Sequence, residues 1–272
     1  MVFLALISMS LTAEFTSFLD GLWKDVNEPT DSEIDAIDHS YYFMAQVNGK
    51  PGLDYVAEIY DDITGDESSA VFSHRNQMMF PRIIDSSAWV CGQLEEGKNI
   101  LDLGSNTAHN LLWWAEKYPN SKFTGIEISE KSLEVANLWK DRLSVENLKL
   151  LSGNMLNKHS EIGDEKFDII INCFALETIP DLEIVNWKIP DWIIESATTN
   201  TKIIACLTVP YWKRLETIID TWRGQGFKLR FLDLFPIETG AGHPYFIMEK
   251  QGEDLDIDIV EFMEKRVSVL FG

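Results

Sequence analysis

The pattern of hydrophobic and polar positions changes character near residue 98. Before this point, apolar residues recur at helical spacing, most clearly at Phe18, Leu19, Leu22, Trp23 and Val26. Ser32 followed by Asp35 predicts the start of a second helix, and residues 53–63 and 69–80 predict further amphipathic helices. We therefore expect residues 1–98 to form a helical cap.

Beyond residue 98, short apolar runs alternate with longer helical patterns. Five runs have the composition of strands that are buried on both faces, at residues 99–103, 123–128, 148–152, 167–172 and 202–207. Helical patterns follow three of them, at residues 107–117, 130–143 and 211–224. Regular β-α alternation of this kind predicts a doubly wound parallel sheet.

Two further strand patterns, at residues 228–234 and 245–249, complete the predicted sheet. The connection between them is too short for a crossover helix, so they should pair antiparallel. The sequence thus predicts an α/β fold over residues 99–250, with a doubly wound, mostly parallel seven-stranded sheet whose last strand is antiparallel. Residues 251–272 follow as an acidic C-terminal tail segment.

The end of the first predicted strand is the strongest candidate for a binding site. The segment Asp102-Leu103-Gly104-Ser105-Asn106 leads directly into a helix. In an open α/β sheet, ligands bind at the carboxyl ends of the strands, where a turn of small residues lets backbone N–H groups approach them. The second strand ends 25 residues after Asp102 at Glu127, where a carboxylate can accept hydrogen bonds from a ribose diol.

Five segments resemble, in the right order, the motifs of the class I S-adenosylmethionine-dependent methyltransferases. They are ILDLGSNTA (100–108), GIEIS (125–129), SGNML (152–156), FDIIINCFALETIPD (167–181) and GHPYFIMEK (242–250). The resemblance covers about residues 99–250 and implies a Rossmann-like methyltransferase fold with S-adenosylmethionine as cofactor.

The resemblance also implies a role for individual residues in cofactor binding. Gly104, Ser105 and the backbone through Asn106 would face the methionine part, and Glu127 would hold the ribose hydroxyls. The remaining implied cofactor-binding residues are Asn154 and Met155 at the adenine, Asn172 with its carbonyl at the ammonium group, and the flanking Asp102 and Ile128.

Three positions depart from the family pattern. Asn106 and Ala108 stand where the second and third glycines of the loop often occur. Asn154 replaces the usual aspartate, which keeps a hydrogen-bonding oxygen for the adenine amino group but removes a charge. The resemblance therefore includes altered residues in the loops of the implied site.

Methyl transfer to a hydroxyl requires a base that removes the proton, and histidine is the natural candidate. His243 is the first choice, because it lies between Gly242 and Pro244 at the entry to the last strand. His74, in the cap just before the core, is the second choice, and Glu177, after the fourth strand, is the third. A structural or surface role is the alternative for each histidine.

Composition and charge restrict the acceptor. The 272-residue chain carries 23 basic and 44 acidic side chains, and its net charge of −21 repels phosphate backbones and anionic lipids. We therefore expect no nucleic-acid or membrane partner and a small organic acceptor, methylated at a hydroxyl oxygen. The end of the fourth predicted strand lacks an acidic cluster, so no metal ion is expected.

Alternative functions stay open. Residues 172–175 (NCFA) faintly resemble the Asn-Pro-Pro-aromatic motif, which leaves an N-methyltransferase of a protein or nucleic acid as an alternative. The imperfect glycine loop leaves a non-catalytic partner subunit that has kept the fold. A nicotinamide-dependent reductase is disfavoured, because it expects G-x-G-x-x-G and a parallel sixth strand.

The cap supplies candidate residues for the acceptor pocket. Arg75 and Arg82 would pair either with the cofactor carboxylate or with the many acidic groups of the cap. Nine aromatic and methionine side chains would line either the pocket or the core: Tyr41, Tyr42, Phe43, Tyr55, Tyr60, Phe72, Met78, Met79 and Phe80.

Cysteine spacing and the chain start bear on the compartment. Cys91, Cys173 and Cys206 lie far apart, which predicts neither a disulfide scaffold nor a zinc site and favours a reducing environment. Residues 1–13 resemble the apolar region of a signal peptide but have no preceding Lys or Arg, so we expect a helix start instead. We expect a cytoplasmic protein, and a homodimer stays open.

Overall fold

The computed structural model describes residues 2–35, 37, 53–76, 80–176, 187–207, 212–236 and 242–271, with side chains over most of these ranges. Its strands are β1 (Asn99–Leu103), β2 (Lys122–Glu127), β3 (Leu148–Ser152), β4 (Phe167–Cys173), β5 (Ala197–Cys206), β6 (Lys228–Pro236) and β7 (Gly242–Glu249). They form a seven-stranded sheet in the order β3-β2-β1-β4-β5-β7-β6. The predicted α/β fold is therefore confirmed, including its antiparallel end.

The helices with defined bounds in the described ranges precede, separate and follow these strands. They are α1 (Val2–Trp23), α2 (Leu53–Thr64), α3 (Glu67–Asn76), α4 (Phe80–Cys91), α5 (His109–Lys117), α6 (Glu130–Leu143), α7 (Asp191–Ser196), α8 (Trp212–Gly224) and α9 (Ile259–Phe271). The chain divides into two compact units. The first unit comprises Met1–Lys98 and Ser105–Met155, and the second comprises Asn99–Gly104 and Leu156–Gly272.

The first unit packs the N-terminal helices around strands β2 and β3. These two strands pair in parallel, with Glu127 at the end of β2 opposite Ser152 of β3. Helix α1 buries an apolar stripe at Leu11, Phe15, Leu19 and Leu22, spaced at the helical period. The ring of Phe15 lies 4.7 Å from that of Trp113 in α5. Burying such side chains contributes about 1.5–3 kcal/mol each.

Residues 31–35 are helical, but the predicted start of this helix is wrong by two positions. The hydroxyl of Thr30 accepts a hydrogen bond from Glu33 N at 3.4 Å, and Glu33 Oε2 accepts one from Thr30 N at 2.6 Å. This reciprocal capping box satisfies backbone donors at the helix start. Thr30 with Glu33, and not Ser32 with Asp35, therefore opens the helix.

The second unit contains the other five strands. Strands β1, β4 and β5 pair in parallel, whereas β7 pairs antiparallel with both β5 and β6. Helix α9 lies within the predicted C-terminal tail and buries Ile259 and Met263. Its Arg266 donates to both carboxylate oxygens of Asp233 in β6.

Several predicted elements have different ends in the structure. The helix expected over residues 69–80 ends at Asn76, and a separate helix α4 begins at Phe80. Pro81 lies in its first turn, where the missing N–H has no helical partner to lose. Helix α5 begins at His109 and not at residue 107, because Ala108 has a left-handed backbone. Strand β5 begins at Ala197, five residues earlier than predicted.

Helix α1 is the longest helix among the described ranges, with 22 residues. Within those ranges, no helix combines the length and apolar character needed to cross a bilayer.

Candidate functional site

The loop that follows β1 has left-handed backbone at alternate residues. Gly104, Asn106 and Ala108 have φ angles of 74°, 49° and 55°. Asparagine tolerates this region, whereas alanine pays about 1–2 kcal/mol for it. The loop thus retains a conformation that favours glycine at the two positions where glycine has been replaced.

Glu127, at the end of β2, is the centre of a hydrogen-bond network in the first unit. Its Oε2 accepts from the backbone N–H of Asn106 at 2.7 Å, and its Oε1 accepts from those of Ile128 and Ser129 at 2.8 and 2.9 Å. Burial raises the pKa of the Glu127 carboxyl, and these three N–H groups act in the opposite direction. A carboxylate has about four lone-pair sites, so it can still accept a hydrogen bond from a ligand hydroxyl.

Glycine at position 125 lets the loop after β1 lie against strand β2. A Cβ atom at Gly125 would lie 2.8 Å from Ser105 Oγ and 2.7 Å from Leu111 Cδ1. The backbone N–H of Ser105 donates to Ile126 O at 3.0 Å, which holds the loop on the strand. Ser105 Oγ is buried and has no hydrogen-bonding partner among the residues that the structure describes. It is therefore an available polar group in this loop.

Asp61, a side chain of the cap, reaches the segment that follows Glu127. Ser129 caps the N-terminus of α6 by accepting from Ser132 N at 3.0 Å. Its hydroxyl donates to Asp61 Oδ1 in α2 at 2.6 Å, and Lys131 N donates to the same oxygen at 3.1 Å. Asp61 thus provides a second capping group for the N-terminus of α6, although it lies 68 residues before Ser129 in the chain.

The cap also contacts the loop through the buried His74, which shares Thr107 of the loop with the buried His109 of α5. His74 Nε2 and Thr107 Oγ1 share a hydrogen bond of 2.9 Å, and Thr107 Oγ1 and His109 Nδ1 share one of 3.0 Å. His74 Nδ1 and His109 Nε2 are buried without hydrogen-bonding partners in the described part of the chain. Burial lowers the pKa of His74 to about 4 and that of His109 in the same direction. Both rings are therefore neutral at pH 7.

The second unit places its candidate residues at the ends of β4 and β7. Asn172 Oδ1 accepts from Leu176 N at 2.9 Å, while its buried Nδ2 has no hydrogen-bonding partner among the described residues. Phe174 has a left-handed φ of 60°, and its ring meets that of His243 edge-on at 5.7 Å. Non-glycine residues in this backbone region often occur at functional sites.

His243 has a defined tautomer. Its Nδ1 lies 3.0 Å from Leu207 O, and a carbonyl oxygen can only accept, so Nδ1 carries the proton. In the neutral ring, the lone pair consequently lies on Nε2. This is the arrangement that a general base on Nε2 requires.

The structure brings some of the predicted residues together by direct contacts. Asn106, Glu127 and Ile128 share one hydrogen-bond network, and Gly153 N, next to Asn154, donates to Glu127 O at 2.8 Å. Ser105, Met155 and His74 lie in the same unit. The second unit contains Asp102, Gly104, Asn172 and His243.

Several predicted residues lie outside the part of the chain whose side chains are described. They are Glu177, Arg82, Tyr41, Tyr42, Phe43, Tyr55, Met78, Met79 and Phe80. The guanidinium of Arg75 lies 5.6 Å from the centre of the Trp23 ring. Its contact is thus a cation–π interaction, which is worth about 0.5–1 kcal/mol at an exposed position.

Two groups near Glu127 were not predicted from the sequence. The spacing Ser129-x-x-Ser132 after a strand is a typical helix N-cap signal and could have identified Ser129. Asp61 has no such signal, because it belongs to a different helix. Beside its three backbone donors, the Glu127 carboxylate keeps capacity to accept a hydrogen bond from a ligand hydroxyl.

Comparisons with known proteins give the site a context. Residues 94–204 match the family model described as a methyltransferase domain. N-methyltransferase 4 of Papaver somniferum is 30% identical over 101 residues, which cover 37% of this chain and 28% of that protein. A tRNA (guanine-N(7)-)-methyltransferase of Synechococcus sp. (strain JA-3-3Ab) is 38% identical over 55 residues, 20% of this chain and 23% of that protein. The chain therefore spans about a quarter of the length of these relatives.

A solved structure, that of the [4+2]-cyclase SpnF, has the same fold. It superposes with a TM-score of 0.60 at 13% identity and covers 75% of this chain and 98% of that chain. At this identity, the likeness concerns the fold alone.

Proposed function

We propose that the protein transfers a methyl group from S-adenosylmethionine to a hydroxyl oxygen of a small organic molecule, and the match of residues 94–204 to the model of a methyltransferase domain supports this proposal. The observation that carries the proposal is the buried carboxylate of Glu127, held by three backbone N–H groups. A carboxylate fixed in this way is prepared to accept a ribose hydroxyl without rearrangement of its own surroundings.

The residues of this chain would divide the work between binding and proton transfer. Glu127 would hold the ribose, Asn154 and Met155 the adenine, and Gly104, Ser105, Asn106 and Asn172 the methionine part. The bound cofactor supplies a methyl group that is already activated on a positively charged sulfur. The protein must therefore orient the acceptor and remove its proton.

His243 Nε2 is the proposed proton acceptor. The hydrogen bond from Nδ1 to Leu207 O leaves the lone pair on Nε2, and the ring of Phe174 supports the imidazole edge-on. A base of this kind typically contributes about 100-fold to 10,000-fold to turnover. His74 and Glu177 remain the second and third predicted bases.

The charge of the chain supports a small acceptor. Its net charge of −21 disfavours polyanionic acceptors and leaves neutral or cationic molecules as the favoured class. A second candidate is an amine nitrogen, which the name of the relative N-methyltransferase 4 and the resemblance of residues 172–175 favour. An amine that binds in its protonated form must lose that proton before its nitrogen can accept the methyl group, so the same base would serve both reactions.

The binding of S-adenosylhomocysteine, measured by titration calorimetry, tests the cofactor part of the proposal. Replacing Glu127 by Ala should weaken binding by about 1.5–3 kcal/mol, the value of hydrogen bonds to a charged group. Glu134→Ala provides the control, because Glu134 lies on the same segment with its side chain 64% exposed. Equal affinity of folded Glu127→Ala and the wild-type protein would refute the assignment.

The acceptor atom is tested with a labelled methyl group. The protein is incubated with methyl-labelled S-adenosylmethionine and fractionated small-molecule extracts, and the labelled product is identified by mass spectrometry. A methyl ether supports the hydroxyl proposal, and an N-methylated product supports the second candidate. Label found in RNA or protein alone would contradict a small acceptor.

A further inference from the structure

Asp61 lies in the cap but is hydrogen-bonded to the segment that positions Glu127. Its Oδ1 accepts the hydroxyl proton of Ser129 at 2.6 Å and the backbone N–H of Lys131 at 3.1 Å. Lys131 N belongs to the first turn of α6, where N–H groups have no partner within the helix. A carboxylate at this end also interacts favourably with the helix dipole.

Ser129 is a buried residue that contacts both Asp61 and Glu127. Its backbone N–H donates to Glu127 Oε1 at 2.9 Å, and its hydroxyl donates to Asp61 while accepting from Ser132 N. Ser129 is completely buried, so water cannot replace Asp61 as the hydrogen-bond acceptor of its hydroxyl. Loss of the Asp61 carboxylate would leave a buried donor unpaired and free Ser129 to rotate.

We propose that Asp61 is a positioning residue for cofactor binding: through Ser129 it fixes the carboxylate of Glu127 in the orientation that accepts the ribose hydroxyls. The inference rests on the proposed role of Glu127. It assigns a function in cofactor recognition to a cap residue that lies outside residues 94–204, which match the methyltransferase domain.

Asp61 acts on Glu127 in two ways that substitutions can separate, through its hydrogen bonds and through its negative charge. The negative charge adds to burial in raising the pKa of the Glu127 carboxyl. Asparagine at position 61 would keep an oxygen for Ser129 and Lys131 but would remove this charge. Alanine would remove both the hydrogen bonds and the charge. The positioning role therefore predicts that Asn preserves binding and Ala impairs it.

Glu67 offers a matched control within the same part of the cap. Like Asp61 it joins the cap to α6, by accepting from Trp139 Nε1 at 2.5 Å and from Arg142 at 2.6 and 3.0 Å. These contacts lie toward the far end of α6 from Glu127. Glu67→Gln should lower the melting temperature without changing how the ribose is recognised.

The experiment compares S-adenosylhomocysteine with its 2′-deoxy analogue, using titration calorimetry on the full chain. Wild-type protein should prefer the natural compound on the order of 10-fold, the value of a hydrogen bond to a charged acceptor. Asp61→Ala should raise the Kd for S-adenosylhomocysteine on the order of 10-fold and bring the preference close to 1. Asp61→Asn and Glu67→Gln should retain the preference.

The outcomes separate this inference from the proposed function. If wild-type protein fails to bind S-adenosylhomocysteine, or if Glu127→Ala binds normally, the role of Glu127 is wrong, and this inference with it. If Glu127→Ala loses the preference but folded Asp61→Ala keeps it, only the role of Asp61 is overturned. Equal losses in Asp61→Ala and Glu67→Gln would also overturn it, since both would then act through stability.

A further variant covers the case in which Asp61→Ala does not fold. Ser129→Ala keeps the backbone N–H to Glu127 but removes the hydroxyl that connects it to Asp61. The same reduced preference is expected in this variant. An unchanged preference in folded Ser129→Ala would contradict the inference.

Discussion

Acidification should destabilise the protein through its buried histidines. Burial lowers the pKa of His74 from 6.5 to about 4, so the folded protein resists protonation there. Well above pH 6.5 the ring is neutral in both folded and unfolded protein, and the shift has no effect on stability. As the pH falls from 6.5 to 4, the unfolded protein takes up the proton first, and the free energy of unfolding decreases.

The magnitude follows from the surroundings of the ring. One pKa unit corresponds to about 1.4 kcal/mol, so the shift of His74 corresponds to about 3 kcal/mol lost by pH 4. The ring of Trp23 lies parallel to that of His74 at 6.1 Å, and His109 lies edge-on at 4.6 Å. His109 cannot compensate a positive charge on His74, because a proton on either ring disfavours a proton on the other.

The assay is urea unfolding at a series of pH values between 8 and 4. His74→Gln is the informative variant, because its amide can still pair with Thr107 but does not titrate. Between pH 8 and 4, the wild-type protein should lose about 3 kcal/mol more than this variant. Parallel pH dependences of the two proteins would refute the reasoning, as would an NMR titration of the His74 ring with its midpoint near pH 6.5.

Two further predictions concern the loop and the proposed base. Gly125→Ala should cost about 1–3 kcal/mol in urea unfolding and weaken S-adenosylhomocysteine binding, because its Cβ would displace Ser105 and Leu111; unchanged stability would mean that the loop can move away freely. His243→Ala should reduce turnover about 100-fold to 10,000-fold while sparing cofactor affinity. If the His243→Ala protein binds the cofactor with normal affinity in titration calorimetry and still turns over at nearly the wild-type rate, His243 is not the base.

The sequence predicted the strands of the sheet and the position of Glu127 well. Residues 99–103 and 148–152 were predicted with the observed ends, because a buried strand is a short apolar run bounded by polar residues. The antiparallel pair at the end follows from the short connection between β6 and β7. Glu127 could be located because the sequence shows both the end of the second strand and the number of residues that separate it from the glycine loop.

Local backbone geometry was harder to predict from the sequence. The sequence shows Asn106 and Ala108 in place of glycine, which suggests an altered loop, yet both residues keep a left-handed backbone. The choice between Ser32 and Thr30 as the helix cap also lay beyond the pattern. Each residue carries a hydroxyl and is followed three positions later by a carboxylate, Glu33 after Thr30 and Asp35 after Ser32. The hydrogen bonds between Thr30 and Glu33 identify the cap.

The sequence by itself determined the order of strands and helices, the small-residue loop after β1 and the acidic residue at the end of β2, since these depend on periodicity and on neighbours along the chain. Only the tertiary structure decided that Asp61 caps α6 and that His74 meets Thr107. The physical reason is that such contacts depend on how whole helices pack. Helix packing is set by the combined burial of many side chains, and it leaves no local pattern at the residues that it brings together.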